Sequence, residues 1–240
     1  MWNNYFPPKQ TNAQLTAKSR MISQNLVKKG KTLEPVVSNT TRGPVCTSWW
    51  GLAWCQNLEQ YADFANRLDR GKRYLRVGAV IDLKIDCGKV DALVVGSEPR
   101  PYEIHIEFAP LDKSKCSKII SACKNQIDTM ESLVSGQFPD DLKEMFLQKE
   151  ALFPSPEEIT FKCSCPDWAY MCKHVAAVLY GIGVKFDQDP LFFFKLRDLN
   201  IEDFIHKEVD DRISKMLKNA NKKSKRILSD KTIECLFGVI

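Results

Sequence analysis

No stretch of this sequence stays apolar for long. Its least polar run, Val175 to Val184, is far short of the roughly 20 residues that a membrane-spanning helix needs, and the opening residues MWNNYFPPKQ lack the apolar stretch of a secretory signal. These two absences predict a cytoplasmic protein that is not inserted in a membrane. Walker-type and dinucleotide-binding glycine loops are missing, as is the Gly-x-Ser-x-Gly elbow of serine hydrolases. The expectation is therefore a protein that is not an enzyme. The nine cysteines are odd in number and lack the paired spacing of a secreted disulfide scaffold, which argues for reduced thiols. In a reducing compartment, thiols crowded together are better read as metal ligands than as crosslinks.

What is present is a globular composition. With 44% hydrophobic and 27% charged residues over 240 positions, and 13 Phe, six Tyr and five Trp to fill a core, the chain is neither disordered nor fibrous. The net charge of +5 is unevenly spread: residues 1–45 carry seven Lys/Arg against one Glu, 46–205 carry 19 against 24, and 206–240 carry nine against five. Two basic ends thus flank a mildly acidic body. Such ends attract polyanions, nucleic acid above all, by releasing counterions; lysine-rich ends also serve simply to keep a chain soluble.

Along the chain, residues 1–42 are rich in Asn, Gln, Thr, Ser and Lys and are interrupted by Pro7, Pro8, Gly30 and Pro35, which predicts a flexible basic arm. From Ser48, apolar residues recur at spacings of three and four up to Gly71, which predicts one amphipathic helix with a glycine stop. Strict alternation follows: Ala79, Ile81, Leu83 and Ile85 against Val80, Asp82, Lys84 and Asp86, then Val90 to Val95, then Tyr102, Ile104, Ile106 and Phe108. This predicts a three-stranded antiparallel meander. Residues 112–149 read as two or three helices. Pro154-Ser155-Pro156 marks a boundary, so that 43–153 is an α+β domain, 154–186 a small module holding the crowded cysteines and 187–240 a helical basic C-terminal region. The fold class is α+β, with further helices predicted at 172–182, 189–199 and from Ile201 to Leu217.

The segment Phe161-Lys-Cys163-Ser-Cys165-Pro-Asp-Trp-Ala-Tyr-Met-Cys172-Lys-His174 holds three thiols and an imidazole within twelve residues. These donors suit Zn²⁺ in a closed tetrahedral Cys₃His site. A Zn–S bond of about 2.3 Å sets ligand atoms about 3.8 Å apart along each tetrahedral edge. Residues i and i+2 of an extended strand stand roughly 6.6 Å apart, so the chain must bend between Cys163 and Cys165, and Pro166 favours leaving the strand. Residues i and i+2 of a helix do not face each other, so Cys172 and His174 must straddle a helix start. With four ligands the centre has no open position, which makes the zinc structural.

This segment resembles the SWIM-type zinc finger, a small ββα module defined by Cys-x-Cys, a spacer and Cys-x-His. Ser48-Trp49-Trp50-Gly51-Leu52-Ala53-Trp54, Arg67-Leu-Asp-Arg-Gly-Lys-Arg-Tyr74 and Gly96-Ser97-Glu98-Pro99-Arg100-Pro101-Tyr102 also look like the N-terminal region of bacterial members, and together the resemblance covers roughly residues 46–200. It implies zinc at Cys163, Cys165, Cys172 and His174. It further implies a module that binds DNA or proteins, often beside a helicase-like ATPase of the chromatin-remodelling superfamily.

Two basic clusters are candidates for phosphate contact. One is Arg67, Arg70, Lys72, Arg73 and Arg76, with Tyr74 interleaved; the same cations at a helix C-terminus also suit the macrodipole. The other is Arg212, Lys215, Lys218, Lys222, Lys223, Lys225 and Arg226, seven basic residues without an acid between them. Trp49, Trp50 and Trp54 read as core packing rather than base stacking. Cys46 with Cys55, and Cys116 with Cys123, have no third ligand nearby in sequence, and His105 and His206 read as surface residues. The leading reading is a non-enzymatic zinc module serving nucleic acid or a nucleic-acid-processing assembly; the alternative is a protein-interaction adaptor without nucleic-acid contact.

Overall fold

In a computed structural model, the alternating segments form the expected meander. The structure describes residues 10–60, 65–112, 114–115, 153–167, 169–199, 214 and 217–218. Strands β1 (Val80–Asp86), β2 (Lys89–Val94), β3 (Tyr102–Phe108) and β4 (Ile159–Cys163) make one antiparallel sheet in the order β1-β2-β3-β4. The register pairs Leu83 with Ala92, Ala92 with Ile104, and Ile104 with Cys163, so one line of side chains crosses the sheet and ends at a cysteine of the predicted metal cluster. Every second residue of β3 is buried, as period-two patterning requires. β4 follows directly on a short 3₁₀ turn at Pro156–Glu158 and pairs with β3, and residues 1–200 form one unit, so the chain on either side of the proline boundary at 154–156 shares a single sheet.

Strand β1 departs from alternation. Val80 and Asp82 are buried although they occupy the face predicted to be polar. Their cover comes from residues 34–36: the Val36 N–H donates to the Val80 carbonyl (3.1 Å), the Leu83 N–H to the Glu34 carbonyl (2.9 Å), and the Glu34 N–H to Asp82 Oδ1 (2.8 Å). A segment expected to be flexible therefore lies along the sheet edge. Just before it, α1 (Asn12–Lys28) corrects the flexible-arm reading more plainly. Thr11 caps this helix in a reciprocal box with Gln14, and Leu15, Ser19 and Ile22 are buried along one face at helical spacing.

The predicted single helix from Ser48 is two, α2 (Trp49–Gln60) and α3 (Ala65–Arg76), and Gly71 lies inside the second rather than ending it. A Cβ at Gly71 would sit 2.7 Å from the Ala176 Cβ, so this residue leaves no room for a side chain between α3 and helix α4 (Lys173–Gln188). The stop is Gly78, at φ +72°, where the Ala79 N–H reaches the Tyr74 carbonyl and the Gly78 N–H the Leu75 carbonyl, a Schellman ending that favours glycine.

Helix α4 is buried on nearly all sides, with thirteen of its sixteen residues inaccessible. It packs on α3, α2 and the inner face of β1, and its indole partner is Trp54, whose Nε1 donates to the Leu179 carbonyl at 2.8 Å. The one charged residue among those thirteen, Lys185, reaches Glu34 at 2.8 Å. A short helix, α5 (Leu191–Leu196), closes the far end with Phe193 and Phe194. The helices predicted over 112–149 fall outside the described residues except at Ser114 and Lys115, which are helical. Residues 201–240 form a second unit; of it Ser214, Leu217 and Lys218 are described, helical and exposed. No helix among the described residues is long and apolar enough to cross a membrane.

Arg197, following α5, is fully buried and donates through Nη2 to Glu158 at 2.9 Å. Burial pushes the Glu158 carboxyl up, but the bonds from Arg197 and the Ser155 N–H outweigh it and hold the group below the ordinary glutamate value. A depressed carboxyl contributes stability that is present above its unfolded pKa and lost as pH falls through the folded one. Glu158→Gln is therefore expected to cost about 1.5–3 kcal/mol at pH 7, the worth of a charged hydrogen bond. The gap from wild type should close below roughly pH 4.3 as the wild-type carboxyl protonates. Urea midpoints of both proteins at pH 7 and in acid check this.

Candidate metal centre

Each of the four cluster residues takes its place for a local reason. Cys163 is the last residue of β4, fixed opposite Ile104. Beyond it the Ser164 N–H still bonds the Glu103 carbonyl, after which the chain leaves the sheet and Cys165 sits in the loop, as the bend argument requires. Cys172 is the N-cap of α4, with extended backbone, and its sulfur accepts from the Val175 N–H at 3.5 Å. His174 follows in the first turn, so the pair does straddle the helix start.

The donor atoms of Cys163, Cys165, Cys172 and His174 all lie within 4.8 Å of one another. His174 Nδ1 stands 3.8 Å from Cys172 Sγ and 4.0 Å from Cys163 Sγ, close to the tetrahedral edge of about 3.8 Å that a Zn–S bond of about 2.3 Å implies. The imidazole is buried between two tyrosines, Tyr102 at 4.3 Å and Tyr74 at 5.4 Å between ring centroids. Burial holds His174 below its ordinary pKa, which keeps it neutral as a metal ligand must be. The hydrogen bond from Cys163, helped by His174, brings the Cys172 thiol down to about 3. Cys163, the donor of that bond, is pushed up in turn. Three thiolates and one neutral imidazole fit Zn²⁺, and four protein ligands leave it a structural role: tying a strand end, a loop and a helix start together.

The loop is also held from outside. Asp167 pairs with Arg67 of α3 and accepts from the Ala169 N–H. Its carboxyl is pushed up by burial and pulled down further by Arg67, for a net value below the ordinary one. Tyr170 closes the other side, its ring on Phe161 and its hydroxyl donating to the Ile159 carbonyl at 2.8 Å. Sequence reasoning missed the Arg67–Asp167 clamp and the tyrosines around His174, because these partners are far apart in the chain.

The α3 cations are mostly engaged within the protein. Besides Arg67, Lys72 pairs with Glu59 at 2.7 Å and lies over the Tyr180 ring. Arg73 donates to Asn12 Oδ1 and the Gln10 carbonyl, each at 2.6 Å, and Arg76 to the Thr40 and Gly43 carbonyls. Arg70 is exposed. Of the C-terminal set, Lys218 is described and exposed, whereas Arg212, Lys215, Lys222, Lys223, Lys225 and Arg226 lie outside the described residues, as do His206, Cys116 and Cys123. Trp54 is fully buried, and Trp50 Nε1 donates to the Phe186 carbonyl at 2.8 Å. Cys46 and Cys55 meet, Sγ to Sγ 3.4 Å, in the core. His105 is on the outer sheet face beside Asp91.

A strand, a thiolate loop and a capped helix around one Cys₃His cluster define a zinc-finger protein. Residues 161–181 match the SWIM zinc finger, so the chain carries a zinc finger of that type, and Cys163, Cys165, Cys172 and His174 within that match cluster as a group that could hold the metal. The chain is also similar to Uncharacterized protein Rv2102 of Mycobacterium tuberculosis, 36% identical over 172 residues, a match that covers 71% of this chain and 62% of that protein. The chain thus spans less than two thirds of that relative's length. No solved structure matches it.

Proposed function

We propose that the chain is a non-enzymatic, zinc-stabilised binding module that contacts nucleic acid or serves a nucleic-acid-processing assembly such as a helicase-like ATPase. The observation that carries this reading is the charge of the first 45 residues, seven Lys/Arg against Glu34 as the one acid, whose carboxylate is itself occupied by Lys185. Of these cations Arg20, Lys28, Lys29, Lys31 and Arg42 are exposed, whereas Lys18 is taken up by the Gly96, Ser97 and Glu98 carbonyls. The closed set of four zinc ligands supports a module without chemistry of its own. The contacts would be to phosphates, independent of sequence, from this face, from Arg70, and from the run Arg212, Lys215, Lys218, Lys222, Lys223, Lys225 and Arg226. A second reading, a protein adaptor, is favoured by the engagement of Arg67, Lys72, Arg73 and Arg76 with protein groups.

Salt dependence separates the two. For the zinc-loaded chain on duplex DNA, log affinity is expected to fall with log salt at about 0.9 for each phosphate neutralised. A chain ending at Lys207 should show a shallower slope. Absence of binding at low salt, from protein carrying one zinc, would make the adaptor the better reading and a partner pull-down the next step.

A further inference from the structure

Between α1 and the 35–37 segment runs a groove of about 420 Å³. Its walls bring together residues from three regions of the chain: Thr16, Arg20, Ser23 and Gln24 of α1, Val37 of the edge segment, and Arg76 at the end of α3. No carboxylate lines it. The charged residues among its walls, Arg20 and Arg76, are both cations, so an anion there meets no like charge, and a cleft lined by one sign of charge focuses the field within it. Arg76 is braced there by its bonds to the Thr40 and Gly43 carbonyls, whereas Arg20 is exposed. The same helix ends in Lys28, followed by Lys29 and Lys31, all exposed, so the cationic surface continues past the groove. Val37, 44% exposed, and Ile81 make a portion of its surface apolar.

We infer that this groove seats the phosphodiester backbone of a nucleic-acid strand, with Arg20 at the phosphates, Arg76 adding its charge from the wall while held by the Thr40 and Gly43 carbonyls, and Val37 against the sugar. The inference rests on the nucleic-acid reading above and gives it a location. No aromatic side chain lines the groove, so bases have no platform to stack on and binding is indifferent to sequence. The outer sheet face is a poor rival, since the exposed Asp86, Asp91, Glu103 and Glu107 outnumber Lys84, Lys89 and Lys162 there.

The test compares three full-length, zinc-loaded proteins by anisotropy of a labelled oligothymidylate across a salt series: wild type, the double variant Arg20→Glu with Gln24→Glu, and Lys89→Glu on the sheet face. Both substituted α1 positions are exposed, and unchanged zinc content and melting confirm the fold. The double variant is expected to bind about tenfold more weakly, since its two substitutions shift the charge near the phosphates by three units in high dielectric. Its salt slope should flatten by about 0.7 for each phosphate no longer neutralised, while Lys89→Glu stays at the wild-type level. Equal weakening in both variants, or none in either, would overturn the groove and leave the nucleic-acid reading standing. If wild type fails to bind at low salt, the groove and that reading fall together. Release of the oligonucleotide by inorganic pyrophosphate at matched ionic strength would show free phosphate, not a strand, to be the occupant, and would also overturn the inference.

Discussion

Cys172→Ser is expected to reduce bound zinc from one per chain to well below one, by metal analysis of the folded protein. Serine is a good N-cap, so the start of α4 keeps its capping oxygen and what is removed is the thiolate that ionises most readily. Zinc binding by isolated finger peptides is worth about 10–16 kcal/mol, nearly all of it coupled to folding. Here the outcome should be more local. β4 is paired along β3 and α4 is buried by the rest of the protein, so strand and helix have support that does not depend on the metal. The chain should stay folded while the loop from Ser164 to Met171, left with the Arg67–Asp167 pair and the Tyr170 contacts to Phe161 and Ile159, becomes open to protease. Cleavage in that loop in the variant, but not in the zinc-loaded wild type, checks the result. Full retention of zinc would remove Cys172 from the ligand set.

Trp54→Ala should produce the largest loss of stability from a single apolar substitution. The indole is fully buried against Phe108, Phe153 and Phe186 and hydrogen-bonded to α4. Truncating a buried Trp costs about 3–5 kcal/mol, through lost transfer energy and the cavity left behind. In a protein of this size that lowers the melting temperature by on the order of 10 °C. If Trp54 instead stacked on bases, the variant would melt like wild type and lose affinity for single strands. Calorimetry and anisotropy on one preparation distinguish these outcomes.

The legible regions of this protein are those whose determinants are close in sequence. The four zinc ligands lie within twelve residues, and their spacing alone dictates the bend after Cys163 and the helix start at Cys172. The meander was legible because its inner residues alternate without interruption. Helix α1 was missed because Pro7, Pro8 and Gly30 frame it and its surface is polar, yet Thr11-Asn-Ala-Gln14 is a capping box and Leu15 and Ile22 mark a buried stripe. Gly71 looked like a stop because a glycine costs helix stability; its reason is Ala176, far along the chain. The same distance hid the partners of Arg67 and Lys72, which read as a phosphate cluster until Asp167, Glu59 and Tyr180 are placed beside them.

The seating of α4 also sets the order in which the protein can be completed. The meander closes through short connections and forms early, but its inner face and α3 are covered by a helix that leaves the ribosome much later. Contacts of such separation carry a loop-closure cost and slow folding. Until Phe186 has emerged, Trp54, Leu75, Leu83 and Ile104 have no lid, and the nascent chain presents a broad apolar surface of the kind that invites association during synthesis. The protein therefore has its most vulnerable interval before helix α4 is complete. Adding the metal and seating the helix are then closely timed events, since Cys172 caps the helix that ends that interval.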